Sequence, residues 1–149
     1  MDAATSYLLT TPVRRSSFAT GAVVLLVQPE RDDREMYAEY LSHMGLTPLC
    51  VQEADATLRL ARRADVIVTG LLLPGPIDGY TVIDRLRHNT STRCIPIVVL
   101  TGCAWTTEEA RARSAGCDAF LSKPCFPDLL LREIRRTLTA RTRRRLNHG

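Results

Sequence analysis

Lysine is nearly missing from this chain of 149 residues: Lys123 is the only one among 20 basic side chains, the rest being arginine. Long apolar runs are missing as well. The longest, residues 22–27 and 95–100, fall far short of the roughly 20 residues that span a bilayer. The start of the chain lacks a signal peptide pattern, because Arg14 and Arg15 follow the weak apolar patch at 7–9 instead of preceding it. A cytoplasmic protein is expected. Cys50, Cys94, Cys103, Cys117 and Cys125 make an odd set with no C-x-x-C pair, which argues against a disulfide frame or a zinc site. His43, His88 and His148 show no metal spacing. No glycine-rich phosphate loop is present. Charge of one sign is lacking only locally: residues 21–131 carry 11 basic and 14 acidic side chains, whereas 132–149 carry seven arginines and one glutamate. The basicity therefore belongs to the end of the chain, which argues against a nucleic-acid groove on the body and leaves any such binding to the basic end.

What is present alternates. Apolar, β-branched runs at 22–27, 48–51, 66–69, 95–100 and 119–122 have the lengths of buried strands. Helical patterns lie between and after them. The first, from about 32 to 44, sets Met36, Tyr37, Tyr40, Leu41 and Met44 on one stripe closed by Gly45. The second covers about 54–63. The third, about 80–88, buries Val82, Ile83 and Leu86. The fourth opens with Thr106 and Glu109 at capping-box spacing, and the last starts at Pro127, suited to a first helical position, with Leu130, Ile134 and Leu138 inward. Five strands alternating with five helices imply a parallel sheet covered on both faces. Right-handed crossovers leave the flavodoxin-like, doubly wound (βα)5 three-layer sandwich of strand order 2-1-3-4-5 as the expected α/β fold. Its boundaries are placed at 21–139, between a flexible arm at 1–20 and a basic tail at 140–149.

In such a fold the working crevice lies beyond the carboxyl ends of the strands. The segments there read Leu25-Leu26-Val27, Val68-Thr69-Gly70 through Pro74 to Asp78-Gly79-Tyr80, Val98-Val99-Leu100-Thr101-Gly102, and Ala119-Phe120-Leu121-Ser122-Lys123-Pro124. In this order and spacing they resemble the receiver domain of two-component response regulators over nearly all of 21–139. The resemblance implies a histidine-kinase-coupled signalling domain. In that family an aspartate after strand 3 accepts a phosphoryl group, two acidic residues after strand 1 help it hold magnesium, and a hydroxyl and a lysine contact the phosphoryl oxygens. Thr101 and Lys123 match the last two positions, Phe120 matches the aromatic switch, and Lys123-Pro124 matches a bond usually cis in the family.

The acidic half is absent. The metal pair falls on Gln28 and Pro29 and the acceptor on Gly70, so neither tight magnesium binding nor aspartyl phosphorylation is expected. Glu30 is the nearest substitute carboxylate, while Asp32 and Asp33 read as charges that complement a helix start. The loop after strand 3 is one residue longer than usual in the family and is stiffened by Pro74 and Pro76. Lys123 is either a remnant anion contact or a crevice tie to Gln28, Glu30 or loop carbonyls. Cys103 and Cys125 follow strands 4 and 5 and could border the crevice, where a thiol near Lys123 would serve a redox sensor; Cys50, Cys94 and Cys117 read as packing residues. Trp105 is either packed on its own domain or a contact residue.

Arg141, Arg143, Arg144 and Arg145 form a charge run, either solvated and disordered or binding nucleic acid, an acidic protein or an anionic surface. With no room after 139 for a helix-turn-helix, direct sequence-specific DNA reading is not expected. The expectation is a stand-alone, non-enzymatic pseudo-receiver without cofactor or metal. It would bind a histidine kinase, another response regulator, another effector or a second copy through the face of helix 4, strand 5 and helix 5. The rivals are a crevice sensor using Lys123, Thr101 and Cys103, and a nucleic-acid adaptor using the arginine run.

Overall fold

A computed structural model describes residues 21–102 and 105–148. The proposed arm at 1–20 and Cys103 lie outside the described residues. Five strands, β1 (Val23–Val27), β2 (Thr47–Val51), β3 (Val66–Thr69), β4 (Ile97–Thr101) and β5 (Ala119–Ser122), form one sheet in the order β2-β1-β3-β4-β5. All four pairings are parallel, with Leu26 opposite Val68 and Val98 opposite Ala119. The helices are α1 (Arg31–His43), α2 (Ala54–Leu60, extended by a 3-10 turn at Ala61–Arg63), α3 (Gly79–Arg87), α4 (Thr106–Ala115) and α5 (Pro127–His148). This is the flavodoxin-like, doubly wound arrangement expected from the alternation.

Period-two alternation divides the strand side chains between two cores. Val24, Leu26, Val66, Val68, Val98 and Leu100 meet Tyr37 and Leu41 of α1 and Leu130, Ile134 and Leu138 of α5. Leu25, Val27, Ile67, Ile97 and Val99 meet the other face, formed by α2, α3 and α4 through Ala54, Val82, Ile83, Leu86 and Ala112. A central strand is covered twice, which is why the middle strands read as unbroken apolar runs. At the amino end of the sheet Arg87 ties three elements together. It donates to the carbonyls of Gly116 (2.9 Å), Ile95 (2.7 Å) and Arg93 (3.0 Å) and pairs with Asp118 at 2.8 Å, whose carboxylate also accepts from Ile97 N.

Several local expectations change. β4 begins at Ile97, not 95, since Pro96 has no N–H for a ladder. Met36 and Met44 are exposed while Tyr37 and Leu41 are buried, so the α1 stripe is narrower than the residue types suggest. Trp105, not Thr106, occupies the N-cap of α4, and no side chain caps it; Glu109 pairs with Arg113 at 3.1 Å. Cys50 and Cys94 are exposed, Cys50 because β2 is an edge strand whose outer positions have no sheet neighbour. The segment 140–148 continues α5 without a break. No glycine or proline interrupts residues 128–148, and Arg, Leu and Ala favour the helix.

Candidate functional site

The parallel sheet brings the ends of β1, β3, β4 and β5 to one edge, where residues distant in sequence meet. Gln28, the first residue past β1, is fully buried. Its Nε2 donates to the Leu100 carbonyl at 3.3 Å, and its Oε1 has no partner among the described residues. The next carbonyls are claimed by α1: Arg34 Nη1 donates to Gln28 O at 2.8 Å and Pro29 O at 3.2 Å. A guanidinium thus sits against the loop after β1.

Gly70 follows β3 and donates its N–H to Val27 O at 3.0 Å. A Cβ built on it would lie 3.8 Å from Leu100 O and 3.9 Å from both Gln28 Nε2 and Leu73 Cδ2, which are ordinary contact distances. Space for a side chain therefore exists. Gly79, at the start of α3, is different: a Cβ there would be 2.3 Å from Gly70 O and 2.8 Å from Leu71 Cα. The helix is seated directly on the strand-3 loop, held by Gly79 N to Leu71 O at 2.8 Å and capped by Asp78 accepting from Thr81 N.

Thr101 is buried at the end of β4, and its carbonyl accepts from Lys123 N at 2.8 Å. The Lys123–Pro124 peptide is cis. Lys123 Nζ bonds neither Gln28 nor Glu30, the partners expected for it; it pairs with Asp33 Oδ2 at 2.5 Å. Asp33, expected to act only as a charge at the helix start, closes the crevice from α1. Glu30 and Asp32 are exposed. Nothing in the sequence marks a tie across 90 positions, and Arg34's grip on the preceding loop is equally silent. Among the described residues no group of three or more His, Cys, Asp or Glu side chains could hold a metal ion.

Around this edge, apolar side chains face water. Trp105 is 73% exposed, so it is not packed on its own domain, and Phe126, ahead of α5, is 81% exposed. Leu72, in the loop after β3, is 72% exposed. Leu72 and Phe126 escaped the sequence reading, although each is a large apolar residue inside a loop. Phe120 is half-buried and packs against the α2–α3–α4 core. Tyr80 donates to Glu108 and lies under the Arg111 guanidinium, 3.9 Å from the ring centre, joining α3 to α4. Cys125 is buried with Sγ against Phe126 O, and burial pushes its thiol pKa up. Tyr37 donates to Cys125 O at 2.7 Å, and burial pushes its phenol up to about 12.

The model of the response regulator receiver domain matches residues 24–135. A curated relative, response regulator Rre1 of Synechocystis sp., is 31% identical over 117 residues, covering 77% of this chain and 51% of that protein. The chain spans about half the length of the first curated relatives it matches. Among solved structures, the receiver domain of the sensor histidine kinase PA1611 of Pseudomonas aeruginosa, described with a magnesium ion in its active-site cleft, superposes with a TM-score of 0.74. It is 26% identical, covering 80% of this chain and 99% of that one. The chemotaxis response regulator CheY4 of Vibrio cholerae gives a TM-score of 0.73 at 25% identity, covering 79% and 99%. No helix among the described residues is long and apolar enough to cross a membrane.

Proposed function

Because the chain belongs to the response regulator receiver domain family, we propose that it is a pseudo-receiver, a two-component signalling module that works without aspartyl phosphorylation. The observation that carries this reading is the donor set at the crevice. Magnesium needs clustered oxygen ligands, but the positions after β1 and β3 are Gln28, Pro29 and Gly70, and the nearby Asp33 is engaged by Lys123. These residues do not fit the ion, and Gly70 offers no oxygen to phosphorylate. Arg34 adds positive charge where the family places two carboxylates. The module has no catalytic step of its own and acts in the cytoplasm by binding a protein partner.

The partner surface in this reading is the face of α4, β5 and α5, with Thr101 and Phe120 setting its shape and Trp105 contacting the partner. Its support is the exposure of Trp105 and Phe126 at the heads of the two helices, since aromatic anchors dominate interface energetics. A histidine kinase, another response regulator, another effector or a second copy are the partner classes. The crevice-sensor reading through Lys123, Thr101 and Cys103 is weaker, because Lys123 is already paired with Asp33; Cys103 lies outside the described residues.

Incubation with a small-molecule phosphodonor and magnesium, read by intact mass, should leave the protein unmodified; a hydroxylamine-labile phosphoryl adduct, the mark of an aspartyl phosphate, would overturn the proposal. Gly70→Asp alone should also remain unmodified, since Gln28 and Pro29 still supply no carboxylate. Capture of partners from the native host should weaken in Trp105→Ala, and equal capture by the variant would remove Trp105 from the interface.

A further inference from the structure

Charge in this fold is sorted along the strand axis. The first turns of four of the five helices carry acids, Asp32 and Asp33 in α1, Asp55 in α2, Glu108 and Glu109 in α4 and Asp128 in α5, α3 having none. The last turns of α2, α3 and α4 carry Arg59, Arg85, Arg87 and Arg113. Helix dipoles favour that arrangement, and parallel strands place all the helix C-termini at the pole opposite the crevice. α5 goes well beyond what its dipole asks. From Arg132 onward it holds seven arginines against the single acid Glu133, which is itself paired with Arg136.

Arg132, Arg135, Arg136, Thr139, Ala140 and Arg143 line one shallow groove along the outer side of α5. At 100° per residue they share the face opposite Leu130, Ile134, Thr137 and Leu138, which are buried in the core. The four arginines are exposed. Arg132, Arg135 and Arg143 have no ion pair among the described residues. From Arg132 to Arg143 the stripe runs about 16 Å at 1.5 Å per residue.

We propose that this face of α5 binds the phosphodiester backbone of a nucleic-acid duplex, without base reading. A duplex carries about one charge per 1.7 Å of axis, a density of negative charge well above that of four arginines spread over about 16 Å, so the stripe meets an excess of phosphates without needing a base sequence. An acidic peptide would need carboxylates at matching intervals. A membrane surface is disfavoured because the apolar side of α5 is committed to the core and cannot enter lipid. The function is separate from the crevice: α5 starts at the crevice end and runs back along the sheet, and no crevice residue lines the groove that its arginines form.

The test is fluorescence anisotropy of the full chain with a labelled duplex DNA of arbitrary sequence, across a salt series. Three phosphate contacts from the unpaired arginines, or four if Arg136 leaves Glu133, give a slope of log K against log salt of roughly −3 to −4, at ~0.9 per contact. The variant Arg132→Gln, Arg135→Gln, Arg136→Gln, Arg143→Gln should bind at least about tenfold more weakly at low salt, with a slope nearer zero. A control of equal charge, Arg59→Gln, Arg62→Gln, Arg63→Gln, Arg93→Gln, alters exposed arginines elsewhere and should bind nearly as the parent does. Unchanged far-ultraviolet circular dichroism keeps either result from being a folding defect. No binding at low salt, equal loss in both variants, or binding to anionic phosphatidylserine vesicles but not to DNA would overturn the proposal.

Discussion

Gly70 and Gly79 lie against each other, and one added methyl group at each should act in opposite directions. At Gly70 the φ is not positive, and a Cβ would meet only ordinary contacts at 3.8–3.9 Å. Gly70→Ala then restricts the unfolded chain, worth ~0.4–1 kcal/mol, and buries a methyl group worth up to ~0.8 kcal/mol. The sum is a stabilisation of roughly 1 kcal/mol. At Gly79 alanine would gain up to ~1 kcal/mol in helix propensity, but its Cβ would stand 2.3 Å from Gly70 O and 2.8 Å from Leu71 Cα. Both obstacles are backbone, so α3 must move outward, disturbing the Gly79 N–Leu71 O bond. Overpacking of this kind costs ~1–3 kcal/mol, and with neither obstacle able to yield the clash wins. In urea, with a slope of about 2 kcal/mol per molar, the Gly70→Ala midpoint should rise by about 0.5 M and the Gly79→Ala midpoint should fall by up to about 1 M once the propensity gain is subtracted. A Gly70→Ala variant that unfolds at lower urea would refute the claim that the fold leaves this position free, and with it the inference that glycine there reflects lost chemistry rather than sterics.

Arg87→Ala should cost about 3 kcal/mol in chemical denaturation, because it strands the half-buried Asp118 and three loop carbonyls; a loss below about 1 kcal/mol would make this lock incidental. For the Asp33–Lys123 pair, a double-mutant cycle with Asp33→Asn and Lys123→Met should return a coupling of about 1 kcal/mol, above most surface pairs, and zero coupling would mean the tie does not hold the crevice. Tyr37, raised from 10 to about 12 by burial, keeps its proton longer in the folded than in the unfolded chain. Its contribution to stability is therefore complete below pH 10 and lost as pH rises through 12; ultraviolet titration should show a late phenol that disappears in Tyr37→Phe, and an unchanged titration would contradict the assignment.

Much of the fold was legible because its signals are local. Apolar runs too short for helices, separated by amphipathic segments, leave few parallel topologies, and Pro127 and Gly45 mark helix ends by their own backbone chemistry. The errors fell where the burden passes to neighbours. Cys50 looks like a packing residue until β2 is known to be an edge, and Thr106-x-x-Glu109 reads as a capping box although the chain enters α4 one residue earlier. The arginine run resembles a solvated tail in composition, yet unbroken helix propensity carries α5 to His148.

The sequence by itself determined which groups are missing from the crevice, since an absent carboxylate at Gln28, Pro29 or Gly70 is absent in any conformation. It also determined the separation of a mildly acidic body from a basic end. Only the tertiary structure decided what the remaining groups do. Lys123 and Asp33 are 90 positions apart and meet because α1 and the end of β5 border the same sheet edge. The same holds for the room at Gly70, for the burial of Gln28 and for the alignment of Arg132, Arg135, Arg136 and Arg143 on one open face. Each depends on which surface a neighbouring element covers, and that is a property of packing between distant segments rather than of any segment alone.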